Sequence, residues 1–131
     1  LRLGVRPELA SFVVPLCATI HLSGSMMKIV ACSLAVMMLS GLDVSMGTYS
    51  GFILLLGITM IAAPGVPGGA IMAAIGLLES MLGFDETLAG LMIALYIAMD
   101  SFGTATNVTG DGAIAVIVNA IDSRMVRGEK R

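Results

Sequence analysis

Four polar side chains recur at helical spacing inside an otherwise apolar segment near the end of the chain. They are separated by four, three and four positions: Asp100, Thr104, Asn107 and Asp111. At ~100° per residue an α-helix projects them within about 60° of one another, which makes one narrow polar stripe. Their neighbours are mostly Ala, Ile, Val, Leu and Met. The pattern predicts a helix whose stripe faces the interior of the protein.

The stripe offers two carboxylates, a hydroxyl and a carboxamide, which can bind an ammonium group, a carboxylate or a metal cation. Ionisable side chains at membrane depth are costly and usually mark a substrate or ion path. The sequence shows no His/Cys metal cluster and no Ser-His-Asp arrangement, so an enzyme is not indicated. Polar groups that only join helices by hydrogen bonds are the structural alternative.

The composition indicates a membrane protein. Hydrophobic residues make up 57% of the 131 residues and charged residues 12%, whereas soluble domains carry about a quarter charged residues. Three apolar stretches lie near residues 9–42, 51–82 and 88–121, each longer than the ~20 residues that span a bilayer. The chain does not begin with Met, and we expect it to be the C-terminal part of a larger protein.

The charges constrain the topology of these stretches. Basic residues lie before the first stretch and after the last one: Arg2, Arg6, Arg124, Arg127, Lys130 and Arg131. Because basic residues mark cytoplasmic ends, both termini are expected in the cytoplasm, and one stretch must fail to cross. The middle stretch is interrupted by AAPGVPGGA, residues 62–70, which cannot continue a helix. It predicts a re-entrant helical hairpin, with a single kinked helix as the alternative.

The first stretch also contains an interruption. HLSGS, residues 21–25, predicts either an unwound point in a discontinuous helix, whose free carbonyls can ligate Na⁺, or a gentle packing kink. Lys28 is a lone cation one turn later. It is interpreted as a side chain that extends to the membrane interface or, less favoured, as a tethered cation facing Asp100 or Asp111. His21 could carry a proton near neutral pH, which makes a proton the second candidate for the coupled ion.

These residues resemble the dicarboxylate/amino acid:cation symporter family, the glutamate transporter family. NVTGD at 107–111 is very specific to it, GVPGG at 65–69 looks like the tip of its second hairpin, and PLCATIHLSGS at 15–25 resembles its seventh transmembrane helix. The resemblance implies an all-α membrane fold: the C-terminal part of one transport domain, over residues 1–131. It divides into broken helix seven (9–42), re-entrant hairpin two (51–82), long transmembrane helix eight (86–122) and a cytoplasmic tail (123–131).

The resemblance also implies roles for individual positions. Asp100 matches the residue that holds a substrate amino group, and Asn107 one that faces the substrate carboxylate. The implied substrate-binding set is Asp100, Gly103, Thr104, Asn107, Val66, Pro67 and Gly68. The implied Na⁺ ligands form two sites: Asp111 with carbonyls of Asn107, Cys17 and His21, and carbonyls of Thr19, Met60, Ile61 and Ala63. Residues 63–69 match the extracellular gate, and members of the family are homotrimers.

Two departures from the family pattern alter these expectations. Members that carry acidic amino acids have Arg at the position of Gly103, and glycine cannot clamp a substrate carboxylate. A neutral rather than an acidic substrate is therefore expected. The family's Asn-Met-Asp-Gly-Thr signature is His21-Leu22-Ser23-Gly24-Ser25 here, so a further sodium site involving its Asp and Asn is expected to be absent or altered.

The predicted function is secondary active symport of an amino acid or dicarboxylate, coupled to sodium or to a proton, in the plasma membrane. A polar stripe beside a re-entrant loop is also typical of ion channels, so a channel is one alternative. A structural membrane subunit without transport activity is the other.

Overall fold

The computed structural model describes residues 3–128, which form helices joined by short connections. Six helices follow in order: α1 (Pro7–Ile20), α2 (Ser23–Leu39), α3 (Met46–Ala62), α4 (Gly69–Leu82), α5 (Glu86–Ala98) and α6 (Asp100–Gly128). They come as three consecutive pairs, one for each apolar stretch of the sequence. The predicted all-α fold is confirmed.

The first pair is an apolar span that is broken near its middle. Pro7 opens α1, where the missing N–H of proline would be unpaired in any case. His21 and Leu22 leave helical geometry, and the His21 N–H donates to the carbonyl of Cys17 at 2.7 Å. The two helices together cover Pro7–Leu39, 33 residues that are long and apolar enough to cross a membrane. The interruption predicted at HLSGS is therefore present.

The second pair, α3 and α4, forms a helical hairpin. Its arms have 17 and 14 residues, fewer than the ~20 needed for a full span, and they pack against each other. The tip contains Pro64 and Pro67, and α4 begins after Gly68, whose φ of +77° is easily adopted only by glycine. The first arm begins at Met46, earlier than the predicted boundary at Gly51. Re-entry into the membrane stays a prediction.

The third pair differs from the predicted long helix. α5 and α6 are separated at Met99 and bent by 61°, so the stripe begins at the first residue of a new helix. The carbonyl of Tyr96, in the last turn of α5, accepts a hydrogen bond from Lys28 Nζ at 3.3 Å. A side chain that donates into the backbone ladder is a recognised cause of a kink. α6 also continues to Gly128, beyond the predicted end at 122.

Two apolar clusters hold the helices together. The larger one joins α2, α3, α4 and α5 and includes the fully buried Phe52, Leu56 and Met92. The smaller one joins α1 to α6 through Val13, Cys17 and Ala115. Between the clusters, the polar stripe of α6 meets the break between α1 and α2.

Candidate functional site

A cavity of about 260 Å³ lies where the helix break, the hairpin tip and the stripe converge. Of the residues predicted to bind substrate, six line it: Asp100, Thr104, Asn107, Val66, Pro67 and Gly68. Of the predicted ion ligands, His21 and Asp111 line it as well. The structure thus brings together three segments that are far apart in the sequence. Gly103 lies just outside this lining, against Lys28.

Asn107 binds the N-terminus of α2. Its Oδ1 accepts a hydrogen bond from the Gly24 N–H at 2.8 Å, and its Nδ2 lies 3.5 Å from Ser25 Oγ. The first N–H groups of a helix have no partner within the helix, and no side chain of the preceding residue caps α2. Asn107 therefore supplies from another helix the cap that the local sequence lacks.

Small residues allow α2 and α6 to approach closely. A Cβ added at Gly24 would overlap the Gly103 carbonyl oxygen and lie 2.8 Å from Thr106 Cβ. Close approach through small residues is typical of helix pairs in membranes. The glycine in the broken signature is therefore required by packing between the two helices that frame the cavity.

His21 and Asp111 form the second polar contact of the stripe. His21 Nδ1 lies 2.9 Å from Asp111 Oδ1, and Asp111 is buried. A Cβ at Gly110 would overlap the imidazole ring, so this glycine makes room for the histidine. The pair links the end of α1 to the middle of α6.

Lys28 forms the third polar contact, and the interpretation that it extends to the membrane interface is wrong. Its side chain is only 4% exposed, and its Nζ lies 3.2 Å from Asp100 Oδ1 and 3.6 Å from the centre of the Tyr96 ring. The second carboxylate oxygen of Asp100 accepts a hydrogen bond from Thr104 Oγ1 at 3.4 Å. Lys28 therefore holds Asp100 from within the protein.

The remaining predicted ion ligands do not line the cavity. The Cys17 carbonyl accepts the His21 N–H, and the Thr19 hydroxyl donates to the Leu16 carbonyl. Met60, Ile61 and Ala63 occupy the end of α3, where the last carbonyls of a helix lack helical partners. A Cβ at Gly65 would lie 2.6 Å from the Ala18 carbonyl oxygen, so the tip packs on the end of α1. The tip that follows α3 thus lies against the end of α1.

No cluster of three or more His, Cys, Asp or Glu side chains suited to a metal occurs within residues 3–128. Such clusters characterise transition-metal sites, whereas alkali cations are held mainly by carbonyl and carboxylate oxygens. The oxygen donors that line the cavity include the side chains of Asp100, Thr104, Asn107 and Asp111.

Six residues that line the cavity were not predicted from the sequence as site residues: Ala18, Leu22, Ser25, Gly65, Tyr96 and Val108. Tyr96 and Ser25 are the polar pair among them. Tyr96 donates a hydrogen bond from its hydroxyl to Ser25 Oγ at 2.8 Å, and both side chains are buried. Tyr96 lies four positions before Asp100 and so extends the stripe by one turn across the bend. Its aromatic ring in an apolar run is indistinguishable from an ordinary core residue, which is why the pattern did not single it out.

Comparison with known proteins identifies the family. The sequence profile described as "Sodium:dicarboxylate symporter family" matches residues 1–121. The chain belongs to this family. The family is one of transporters rather than enzymes, and membership supports cation-coupled transport in a membrane setting.

Individual relatives give a more detailed comparison. The chain is 30% identical over 127 residues to proteins named "Serine/threonine transporter SstT" from Acinetobacter baumannii strains SDF, AYE and AB0057. These matches cover 94% of this chain and 31% of each relative. The chain therefore spans about a third of the length of the curated relatives it matches. No solved structure matches it significantly.

Proposed function

We propose that this chain forms the substrate and ion site of a sodium-coupled symporter for a small amino acid or dicarboxylate. The observation that carries the proposal is the cavity in which the stripe, the helix break and the hairpin tip meet. It combines carboxylates, an amide and helix ends beside a glycine- and proline-rich tip, within a chain of a symporter family. This arrangement suits a solute and a cation that bind side by side.

The charges around the cavity favour a solute with a neutral side chain. The acidic groups that line it are Asp100 and Asp111, and among the described residues no arginine or lysine lines it. A substrate with an additional carboxylate would therefore find no partner for a bidentate ion pair. The relatives named for serine and threonine transport agree with this preference. The amide nitrogen of Asn107 makes only the long contact with Ser25 and is available to donate to the carboxylate that the solutes share.

Sodium is proposed to bind as a co-transported substrate at two places. Asp111, with carbonyls near Asn107, Cys17 and His21, forms the first. The carbonyls at the end of α3, with that of Thr19 in α1, form the second. Both use helix ends, where the negative ends of the backbone dipoles favour a cation.

The hairpin tip is proposed to act as the gate. Val66, Pro67 and Gly68 line the cavity, and the tip rests on the end of α1 through the close approach of Gly65. A tip that closes fully only when the site holds both solute and ion, or neither, would couple the movement of the solute to that of the ion.

The assembly is proposed to be a homotrimer in the plasma membrane, with a cytoplasmic C-terminus.

Uptake into proteoliposomes that contain the full-length protein tests the proposal. We expect labelled solutes with neutral side chains to accumulate under an inward sodium gradient and to fail to accumulate when potassium replaces sodium. A proton gradient without sodium forms a separate arm. Accumulation in that arm alone would show that the coupled ion is the proton and not sodium.

Asp111→Asn is the variant that tests the first proposed sodium site. It is expected to weaken sodium dependence strongly, whereas Asp43→Asn, which removes an exposed carboxylate outside the cavity lining, leaves uptake unchanged. Ion conductance without concentrative uptake would favour a channel instead. Unchanged membrane assembly with neither uptake nor conductance would contradict both transport functions.

A further inference from the structure

The ammonium group of Lys28 has a complete set of partners inside the protein. It lies 3.2 Å from Asp100 Oδ1, 3.3 Å from the Tyr96 carbonyl oxygen and 3.6 Å from the centre of the Tyr96 ring. An ammonium has three donors, and two oxygens and an aromatic face account for them. The group has no donor left for a molecule in the cavity, and Lys28 does not line it.

Gly103 makes this arrangement possible. A Cβ at position 103 would overlap Lys28 Cε and lie 2.8 Å from its Nζ. Any other residue there would force the end of the lysine side chain to shift from its position beside Asp100. The absence of a side chain at Gly103 thus leaves space on α6 for the cationic side chain of Lys28 from α2.

In the Lys28–Asp100 pair the lysine side chain is buried, whereas the aspartate side chain is half exposed. The Lys28 side chain is 4% exposed, while that of Asp100 is 49% exposed and lines the cavity. Separating a buried charge from its partner is strongly unfavourable because the charge is then left uncompensated. Lys28 is therefore expected to stay on Asp100 while the cavity fills and empties.

An amino acid would have to share that carboxylate. Its ammonium group would approach Asp100 from the cavity and meet the field of a second ammonium fixed on the same carboxylate. Like charges placed so close repel, which cancels the attraction that an unpaired aspartate would supply. A hydroxyl carries no charge and can still donate a hydrogen bond to the exposed oxygen of Asp100.

We propose that Lys28 is a specificity-determining residue that occupies the amine position at Asp100, so that the cavity selects amine-free carboxylates such as 2-hydroxy acids over the corresponding amino acids. This inference rests on the proposed transport site and replaces amino acids with amine-free carboxylates as its preferred substrates. Lys28 acts through Asp100 and does not itself touch the solute.

The test compares solutes that differ only at the 2-position: L-glycerate with L-serine, L-lactate with L-alanine, and L-malate with L-aspartate. Binding is measured first, as ligand-induced thermal stabilisation of the detergent-solubilised full-length protein, and uptake into proteoliposomes second. We expect the hydroxy acid of a pair to be preferred by roughly a hundredfold, the size expected when like charges are brought together at a binding surface.

Two variants then remove Lys28 from Asp100 by different means. Lys28→Met deletes the charge with little change in shape, and Gly103→Ala displaces the side chain sterically. Both are expected to shift the hydroxy-to-amino preference by roughly tenfold or more towards the amino acid. Gly76→Ala, a helical glycine with nothing within 4 Å of the added methyl group, is the matched control and should leave the preference unchanged.

Several outcomes would overturn the proposal. One is a preference for the amino acid in the unmodified protein. Another is a loss of binding in Lys28→Met that is equal for both members of each pair, which indicates a purely structural lysine. A third is selective loss of malate and aspartate, which would mean that Lys28 reaches the substrate itself. Hydroxy-acid binding without ion-driven uptake would leave the inference standing and contradict the proposed symport.

Discussion

The two halves of α6 pack against the rest of the molecule by different means. The N-terminal half meets α2 and the helix break through partly buried polar groups: Asp100 with Lys28, Asn107 with Gly24 and Asp111 with His21. The C-terminal half meets α1 through an apolar cluster around Ala115. It is also joined to the start of α1 by the exposed pair of Arg6 and Asp122.

This difference suggests that the N-terminal half of α6 serves substrate recognition and that the C-terminal half attaches the helix to the rest of the protein. Buried polar pairs contribute little net stability, because removing charges from water offsets their attraction, but each leaves a costly unpaired group if one partner is lost. Apolar contacts tolerate small changes and make no demand on protonation or ligands. The half that lines the cavity is therefore the sensitive half, and the half near the C-terminus serves as its anchor.

Gly24→Ala, on the side of α2 that meets the N-terminal half of α6, is expected to have the largest effect on stability and transport. The added methyl group would overlap the Gly103 carbonyl oxygen, and overpacking against backbone is expected to cost about 3 kcal/mol. Transport should fall to background. Gly112→Ala is the matched control within α6, because its Cβ would meet only Leu3 Cδ1, at an ordinary 3.8 Å. Thermal unfolding in detergent together with uptake measures both variants; equal behaviour would remove the distinction between the halves.

Asn107→Leu is expected to have an intermediate effect. It leaves the Gly24 N–H without its acceptor, at a cost of about 1–2 kcal/mol, and removes an amide from the cavity. Asn119→Leu is an unusually close control, since Asn119 Oδ1 also accepts a backbone N–H, that of Arg6 at 3.2 Å, at an exposed position. There water can replace the lost acceptor, and the change should stay within ~0.5 kcal/mol. A larger loss in Asn119→Leu would contradict the assignment of the sensitive half.

Arg6→Gln is expected to have the smallest effect. The Arg6 and Asp122 side chains are 49% and 38% exposed, and exposed ion pairs contribute about 0–1 kcal/mol. Uptake and substrate preference should be unchanged, in contrast to Lys28→Met at the buried pair. A selective change in ion dependence in Arg6→Gln would show that the anchor also takes part in transport.

Much of the fold was predictable because it depends on local sequence. Two prolines and three glycines within nine residues disfavour a helix, so the interruption in the middle stretch predicted the hairpin tip. Ser and Gly in HLSGS predicted the break between α1 and α2. The bend at Met99 was not predictable. It coincides with a hydrogen bond that Lys28 donates to the Tyr96 carbonyl, 68 positions later in the sequence. No local pattern encodes such a contact.

The candidate site was predictable to a similar extent. Helical periodicity alone placed Asp100, Thr104, Asn107 and Asp111 on one face, and all four line one cavity. Tyr96 was missed because an aromatic residue in an apolar run has no pattern of its own. The interpretation of Lys28 failed because a lone lysine in an apolar helix is compatible both with extension to the interface and with a buried ion pair.

The sequence by itself determined the class of the protein, its helices, the helix break and the polar stripe, since composition, glycine, proline and helical period act within a few residues. Only the tertiary structure decided which charges meet. Lys28 pairs with Asp100 because Gly103 leaves space for the lysine side chain. His21 pairs with Asp111 because Gly110 leaves space for the imidazole ring. Electrostatic pairing depends on distances between helices that are remote in the chain, and these distances are set by which residues lack a side chain.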